Sequence, residues 1–433
     1  MDAIDDPRFL PYVVYDKRFL LWWGLSLFLF KLGSRRQLDY QLNSDGPHVL
    51  DNLNRLAGTA QESRPVNQTL NYFLGGLAPA ALADLRTPMV RRLLRMKALD
   101  AARLQGRHVV AIDGSGYLLF RYPHCDHCLT QQHGDTTLYM HQVLEAKVLG
   151  PADTVFSVGT AFIDNRDAAD TPVGASAEDR KQDCELKALG RLAVQLRRDF
   201  PQWKICFSGD GLYACGEGFQ VARDHGAAYV YTFKPGRLPA VWADFQGLLQ
   251  LCPQQRVELV TPAGVRQVYR WVHGLSYTDS KGRAWTFTAL QCEESASDGS
   301  TTLWAWVTDL EVNRDTVVAV ATQGGRHRWH LENQGFNTQK NSGLNLEHAY
   351  SHGEQWPAYY YLLQIAHMLL QLVEKGSLLR QLAAELGKTP LQLFGSIKNM
   401  AERLRESVRF VHWPSAVYEL ATAQRIQIRL DSG

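Results

Sequence analysis

Two short apolar runs, HVVAIDG at 108–114 and KICFSGDG at 204–211, each stop at an Asp-Gly pair. A run this short with so little polar face must be covered on both sides, which for a strand means the middle of a sheet. The neighbouring segments obey that constraint. LYMHQVLEAKVL (138–149), DTVFSVGTAFI (153–163) and AAYVYTF (227–233) read as further strands. Segment 178–199 reads as a helix from the spacing of Leu186, Leu189, Leu192, Val194 and Leu196, and 213–225 as a second one. Strands alternating with helices predict an α/β fold.

The flanks have a different texture. Residues 1–105 read as helical, with Leu-rich segments at 19–32, 66–77, 79–86 and 88–104. In the last, Val90, Leu93, Leu94 and Met96 interleave with Arg91, Arg92, Arg95 and Lys97, an amphipathic helix with a basic face. Between about 250 and 307 the pattern turns β-rich, in RVELVTP, VRQVYRWV, AWTFTALQC and TTLWAWVTDL. Helical character returns after Arg314, with helices at 357–375, 377–386 and 390–409, and the tail ends in a strand-like RIQIRL.

Charge and cysteine content narrow the function classes. The net charge of the 433 residues is only +2, which excludes a uniformly basic nucleic-acid coat protein. That figure averages a front of +5 over residues 1–107 and a tail of +3 over 361–433. Seven cysteines cannot all pair, so a reducing compartment is expected. The acidic start MDAIDDPRF does not read as a signal peptide. The most apolar stretch, from Phe19 to Phe30, falls short of the roughly 20 residues of a membrane span and reads as a buried helix.

Asp113 and Asp210 sit at the strand ends, where α/β sheets bind ligands, although Asp-Gly alone reads equally as a turn. RHRWHLENQGFNTQKN (326–341) adds Glu332, with Arg328 one turn before it and Lys340 about two turns after. An acid flanked by cations fits metal chelation beside phosphates, and fits a surface ion-pair ladder as well. With AIDGSG around Asp113, FSGDGLYA around Asp210, HLENQGFNTQKN around Glu332, and KQDCELKALGRL and NLEHAYSHG beside them, residues 105–355 resemble bacterial insertion-sequence transposases of the DDE type. The resemblance implies an RNase H-like mixed sheet flanked by helices, interrupted by a β-rich insertion, with helical regions at both ends. The implied layout is a DNA-binding region at 1–105, core at 106–249 and 311–360, insertion at 250–310, and a helical region at 361–433. The first Asp is expected to end the first core strand, the second the fourth, and the Glu to lie on a later helix.

By the same resemblance, Asp113, Asp210 and Glu332 hold two Mg²⁺ ions, with Mn²⁺ able to substitute, and cut and join DNA. One branch of the family carries a Tyr-x2-Arg-x3-Glu-x6-Lys signature. Arg328 and Glu332 keep its spacing, Gly325 stands in the Tyr place and Gln339 in the Lys place, with Lys340 one residue beyond. Arg328, Lys340, Lys234 and the α-helical Arg91, Arg92 and Arg95 are the candidate DNA contacts. A Trp from 304 or 306 is either sheet packing or a stacking surface for an unpaired base. The implied partners are transposon ends and target DNA, held by a homodimer in a bacterial cytoplasm, on the nucleoid, with no membrane. A non-cutting DNA-binding derivative and a nuclease that does not join strands are the alternatives.

HCDHCLTQQH offers a second metal site. Cys125 and Cys128 have the Cys-x2-Cys spacing of half a zinc site, with His133 and His141 as the other candidate ligands and His124 and His127 competing. A plain hairpin is the alternative. The other five cysteines read as buried small hydrophobes, and His327 and His330 as phosphate contacts or surface residues. Glu347 is a further acid near the site.

Overall fold

The computed structural model describes residues 1–165, 183–351, 353, 355–415, 419 and 427–430. Residues 178–182 of the expected helix, 181–182 and 352 of the quoted motifs, and 425–426 of the tail lie outside them. Residues 427–430 form no strand.

A mixed sheet of eleven strands is the centre of the fold. Its core strands are β2 (Arg107–Phe120), β4 (Thr136–Leu149), β5 (Val155–Ile163), β6 (Ile205–Gly209) and β7 (Ala228–Thr232), in the order β5-β4-β2-β6-β7. The two-residue β1 (Arg103–Leu104) pairs with β2, and β3 (Leu129–His133) lies beside the start of β4. β4 runs antiparallel to both of its neighbours, β2 and β5, whereas β6 and β7 run parallel to β2. This is the expected α/β class, a large mixed sheet flanked by helices. The β-rich stretch forms β8 (Arg256–Val260), β9 (Arg266–Thr278), β10 (Ala284–Ser295) and β11 (Thr301–Thr308). It does not stand apart, because β11 pairs with β7 and carries the same sheet onward.

Alternation along β2 divides the core in two. Val109 and Ala111 face one layer, and Val110 and Ile112 face the other. The first layer contains α1 (Lys17–Leu29), α2 (Arg35–Asn43), α3 (Val49–Ala57), α4 (Asn67–Gly76), the long helical segment α9 (317–341) and α10 (Trp356–Lys375). The second contains α6 (Glu185–Asp199), α7 (Gly216–Asp224) and α8 (Pro239–Leu251). α5 (Pro79–Arg95) contributes to both. The all-round apolarity of 19–30 has its reason here: α1 is buried on nearly every face, with Gly24 set against Leu362 of α10. Among the described residues no helix is long and apolar enough to cross a membrane.

Several boundaries differ from expectation. Segments 79–86 and 88–104 are not two helices: α5 runs through Pro88 to Arg95, and the chain then turns into β1. The helix expected at 390–409 is broken at Gly395, whose φ of 76° is left-handed, into α12 (Pro390–Phe394) and α13 (Ile397–Phe410). Between α10 and α12 lies α11 (Ser377–Glu385).

Candidate active site

Asp113 does not end its strand. β2 runs on to Phe120, paired with β4 from Val110 except for an irregularity at Leu118, but its parallel pairing with β6 stops at Ala111 and Ser208. Asp113 therefore lies on the edge that β2 exposes once β6 has finished. Its neighbour Gly114 is not a turn glycine. A Cβ there would lie 2.2 Å from an oxygen of Glu185, so the missing side chain is the space that Glu185 fills. Asp210 follows the last residue of β6 and does make a turn: its Oδ1 accepts from the Leu212 N–H at 2.8 Å.

The third acid arrives on α9, which faces the same layer as Asp113. Arg328 donates from Nη1 to Asp113 Oδ2 at 3.1 Å and pairs through Nη2 with Glu332 Oε1 at 2.8 Å. One guanidinium thus bridges the two carboxylates. Asp210 joins them electrostatically. Burial, opposed by Arg328 and reinforced by the charges of Glu332, Asp210 and Glu185, pushes the Asp113 carboxyl up to about 6.

Glu185 is the acid that the sequence did not single out. It opens α6, where the helix N-terminus favours a negative charge, and its Oε2 accepts from the Tyr213 hydroxyl at 2.9 Å. Burial first, and then the Asp210 charge, raises its carboxyl above the usual range despite that hydrogen bond. Its only local signal was its place at the first turn of a helix.

A cavity of about 530 Å³ opens beside these acids. Asp210, Lys234, Trp304, Arg326, Arg328 and Trp329 are among its lining residues. Trp304 is 41% exposed, with the Arg326 guanidinium 5.3 Å from its ring centroid, whereas Trp306 is buried. The Trp306 indole explains Gly325 in the Tyr place, since a Cβ there would lie 2.3 Å from Trp306 Nε1.

The cation expected two turns after Glu332 is paired with a different acid. α9 contains π-helical turns at Val320–Gly325 and Leu331–Asn337, and such a turn takes up an extra residue and shifts the register downstream. Gln339 is fully buried and bonded to Lys147, Gln364 and His367, and Lys340 pairs with Glu347 at 2.8 Å. His327 and His330 also lie elsewhere. Their rings are 5.0 Å apart, and His330 Nε2 sits 3.6 Å from Asp153.

Of the three arginines on α5, Arg91 is committed to the fold. It donates from Nε and Nη2 to the Asp199 carbonyl at the end of α6, at 2.9 and 2.5 Å. Arg92 and Arg95 are exposed. In the other metal candidate, Cys125, Cys128 and His141 come together with His124, while His133 lies at the exposed end of β3. The remaining cysteines are not uniformly buried: Cys206 and Cys292 are, Cys215 and Cys252 are half-buried, and Cys184 is exposed.

Among solved structures, the chain is similar to the piggyBac transposase in its synaptic complex with hairpin DNA, with 9% identity and a TM-score of 0.38, over 94% of this chain and 73% of that one. No protein-family model and no curated protein matches the chain.

Proposed function

We propose that the chain is a DNA transposase of a bacterial insertion sequence, which cuts element ends and joins the freed 3′-OH to target DNA by metal-dependent phosphoryl transfer. One observation carries the reading: a half-buried Asp113 carboxyl, bridged to Glu332 by Arg328 and raised to about 6 among Asp210, Glu332 and Glu185, acids drawn from three other parts of the chain. Carboxylates gathered against their own repulsion favour a cation, and an all-oxygen donor set suits Mg²⁺ or Mn²⁺.

In this reading Asp113, Asp210 and Glu332 hold two ions. When bound, such a pair supplies activation of a water and neutralisation of the departing 3′ oxygen. The chain's own residues do the rest. Arg328 and Lys234 hold phosphate oxygens without reading bases. Glu185 buttresses the backbone beside Asp113 and is itself oriented by Tyr213. Trp304 offers its exposed face to an unpaired base. Arg92 and Arg95 add phosphate contacts along α5, and two element ends require at least a homodimer, working on the nucleoid in the cytoplasm.

The test uses the DNA that flanks the coding frame, with its inverted repeats as substrate. Wild-type protein with Mg²⁺ is expected to release a 3′-OH end and then join it to a second duplex. Asp113→Ala is expected to lose both steps while retaining the gel shift. Cleavage that survives in Asp113→Ala would remove that residue from the site. Cleavage without joining identifies a nuclease, and binding with no cleavage under any divalent ion identifies a DNA-binding protein.

A further inference from the structure

We propose that His124, Cys125, Cys128 and His141 form a structural zinc site on the hairpin between the first two core strands. The four residues each offer a ligand atom, and these atoms all lie within 4.8 Å of one another. That is room for one ion held by two thiolates and two imidazoles, a donor set that selects zinc over the hard cations of the carboxylate site.

The sulfur–sulfur spacing fits a tetrahedron, and the sulfur–nitrogen spacings fall a few tenths of an ångström inside it. With Zn–S near 2.3 Å and Zn–N near 2.0–2.1 Å, tetrahedral geometry requires about 3.8 Å between two sulfurs and about 3.6 Å between sulfur and nitrogen. The Cys125 and Cys128 sulfurs are 3.7 Å apart, Cys125 Sγ is 3.2 Å from His141 Nε2, and Cys128 Sγ is 3.3 Å from His124 Nδ1. A disulfide would need about 2.05 Å between the sulfurs.

The ligands arrive by two routes. His124, Cys125 and Cys128 come from the loop between β2 and β3. His141 comes from β4, opposite Tyr117, and is held by stacking on Trp356 at 4.7 Å. His133 is excluded because it is the last residue of β3, exposed at the tip of the hairpin where the chain turns into β4.

The loop that carries three of the ligands also anchors the approach to α6. The His127 carbonyl accepts from Asn165 N–H at 3.0 Å, and the Cys128 carbonyl accepts from Asn165 Nδ2 at 2.9 Å. Asn165 Oδ1 in turn accepts from the Asp183 N–H at 3.4 Å, two residues before Glu185. The zinc loop thereby positions the start of α6, and with it the carboxylate that packs over Gly114.

The experiment is metal analysis of the full-length chain purified from zinc-supplemented cells, followed by cobalt exchange and absorption spectroscopy. One zinc per chain is expected, and the cobalt form should show the intense ligand-field bands of tetrahedral thiolate coordination. Cys125→Ser, Cys128→Ser and His141→Gln should each lose the ion, and His133→Gln should keep it. Asp113→Ala should also keep it, so failure of the zinc site and failure of the carboxylate reading are told apart. Folded wild-type protein without zinc, an oxidised Cys125–Cys128 pair, or a cobalt spectrum lacking thiolate features overturns the proposal. If the cysteine variants do not fold, the wild-type stoichiometry and cobalt spectrum decide alone.

Discussion

Arg328 and Asp113 share one ionic contact, and both of its members have a stake in what binds next. Because the Asp113 carboxyl is raised to about 6, protons compete with divalent ions for it. Divalent-ion affinity, measured by calorimetry, should weaken as pH falls through that value and level off well above it. A pH-independent affinity would mean that Asp113 is not a ligand. Glu185→Gln keeps the shape over Gly114 but removes a charge, and the variant should fold normally. As a change outside the three proposed ligands, it should lower metal affinity or cleavage by roughly 10–100-fold. Unchanged cleavage would reduce Glu185 to packing. The motifs around Asp113, Asp210, Arg328 and Glu332 were legible because each acid has its cue within a few residues. Glu185 was not, because its meaning comes from Gly114, some seventy residues earlier on another element. For the same reason the cluster holds His124 and not His133: the β3–β4 pairing carries His133 away to the hairpin tip, and spacing did not show it.

At the scale of elements, the core strands were legible and the irregular helix was not. Apolar runs and β-branched stretches mark β2, β4, β5, β6 and β7 because burial on both faces leaves little room for polar residues. Nothing in RHRWHLENQGFNTQKN announces its π-turn at Leu331–Asn337, and counting by ideal turns took no account of it in placing Lys340. An earlier π-turn, Val320–Gly325, lies where α9 passes over the sheet, and Gly324 and Gly325 permit the approach. A Cβ at Gly324 would be 2.8 Å from Val230, and one at Gly325 would meet the Trp306 indole. Gly325→Ala should therefore destabilise the protein by about 1–3 kcal/mol through overpacking, read as a lower denaturant midpoint. It should also slow cleavage, because α9 carries Arg328 and Glu332. A variant as stable as wild type would show that the helix has slack at this crossing. Pro88 misled in the opposite direction, since α5 continues through a residue that usually ends a helix.

The whole molecule is held by buried polar groups as well as by its two apolar layers, and these set its acid limit. His367 is fully enclosed between Gln339, Gln371 and Lys147, and burial, then the Lys147 charge, depresses it from 6.5 to about 3. A depressed histidine is neutral in the fold and protonated in the unfolded chain. Its contribution is therefore complete above 6.5 and is lost as pH falls from there toward 3. Relative to wild type, His367→Gln should lose less stability on acidification across that window, as measured by denaturant midpoints at several pH values. Parallel losses would mean that His367 already accepts a proton in the folded state.

The contact of Gly24 with Leu362 bears on the order of events during synthesis. α1 emerges from the ribosome well before α10 and must wait for it before its apolar surface is covered. The acids wait too, because Asp113 meets Arg328 only after two hundred further residues have been added. A nascent chain therefore carries no assembled carboxylate site until α9 has been made. The arrival of α9 completes the acid cluster, and that of α10 covers α1.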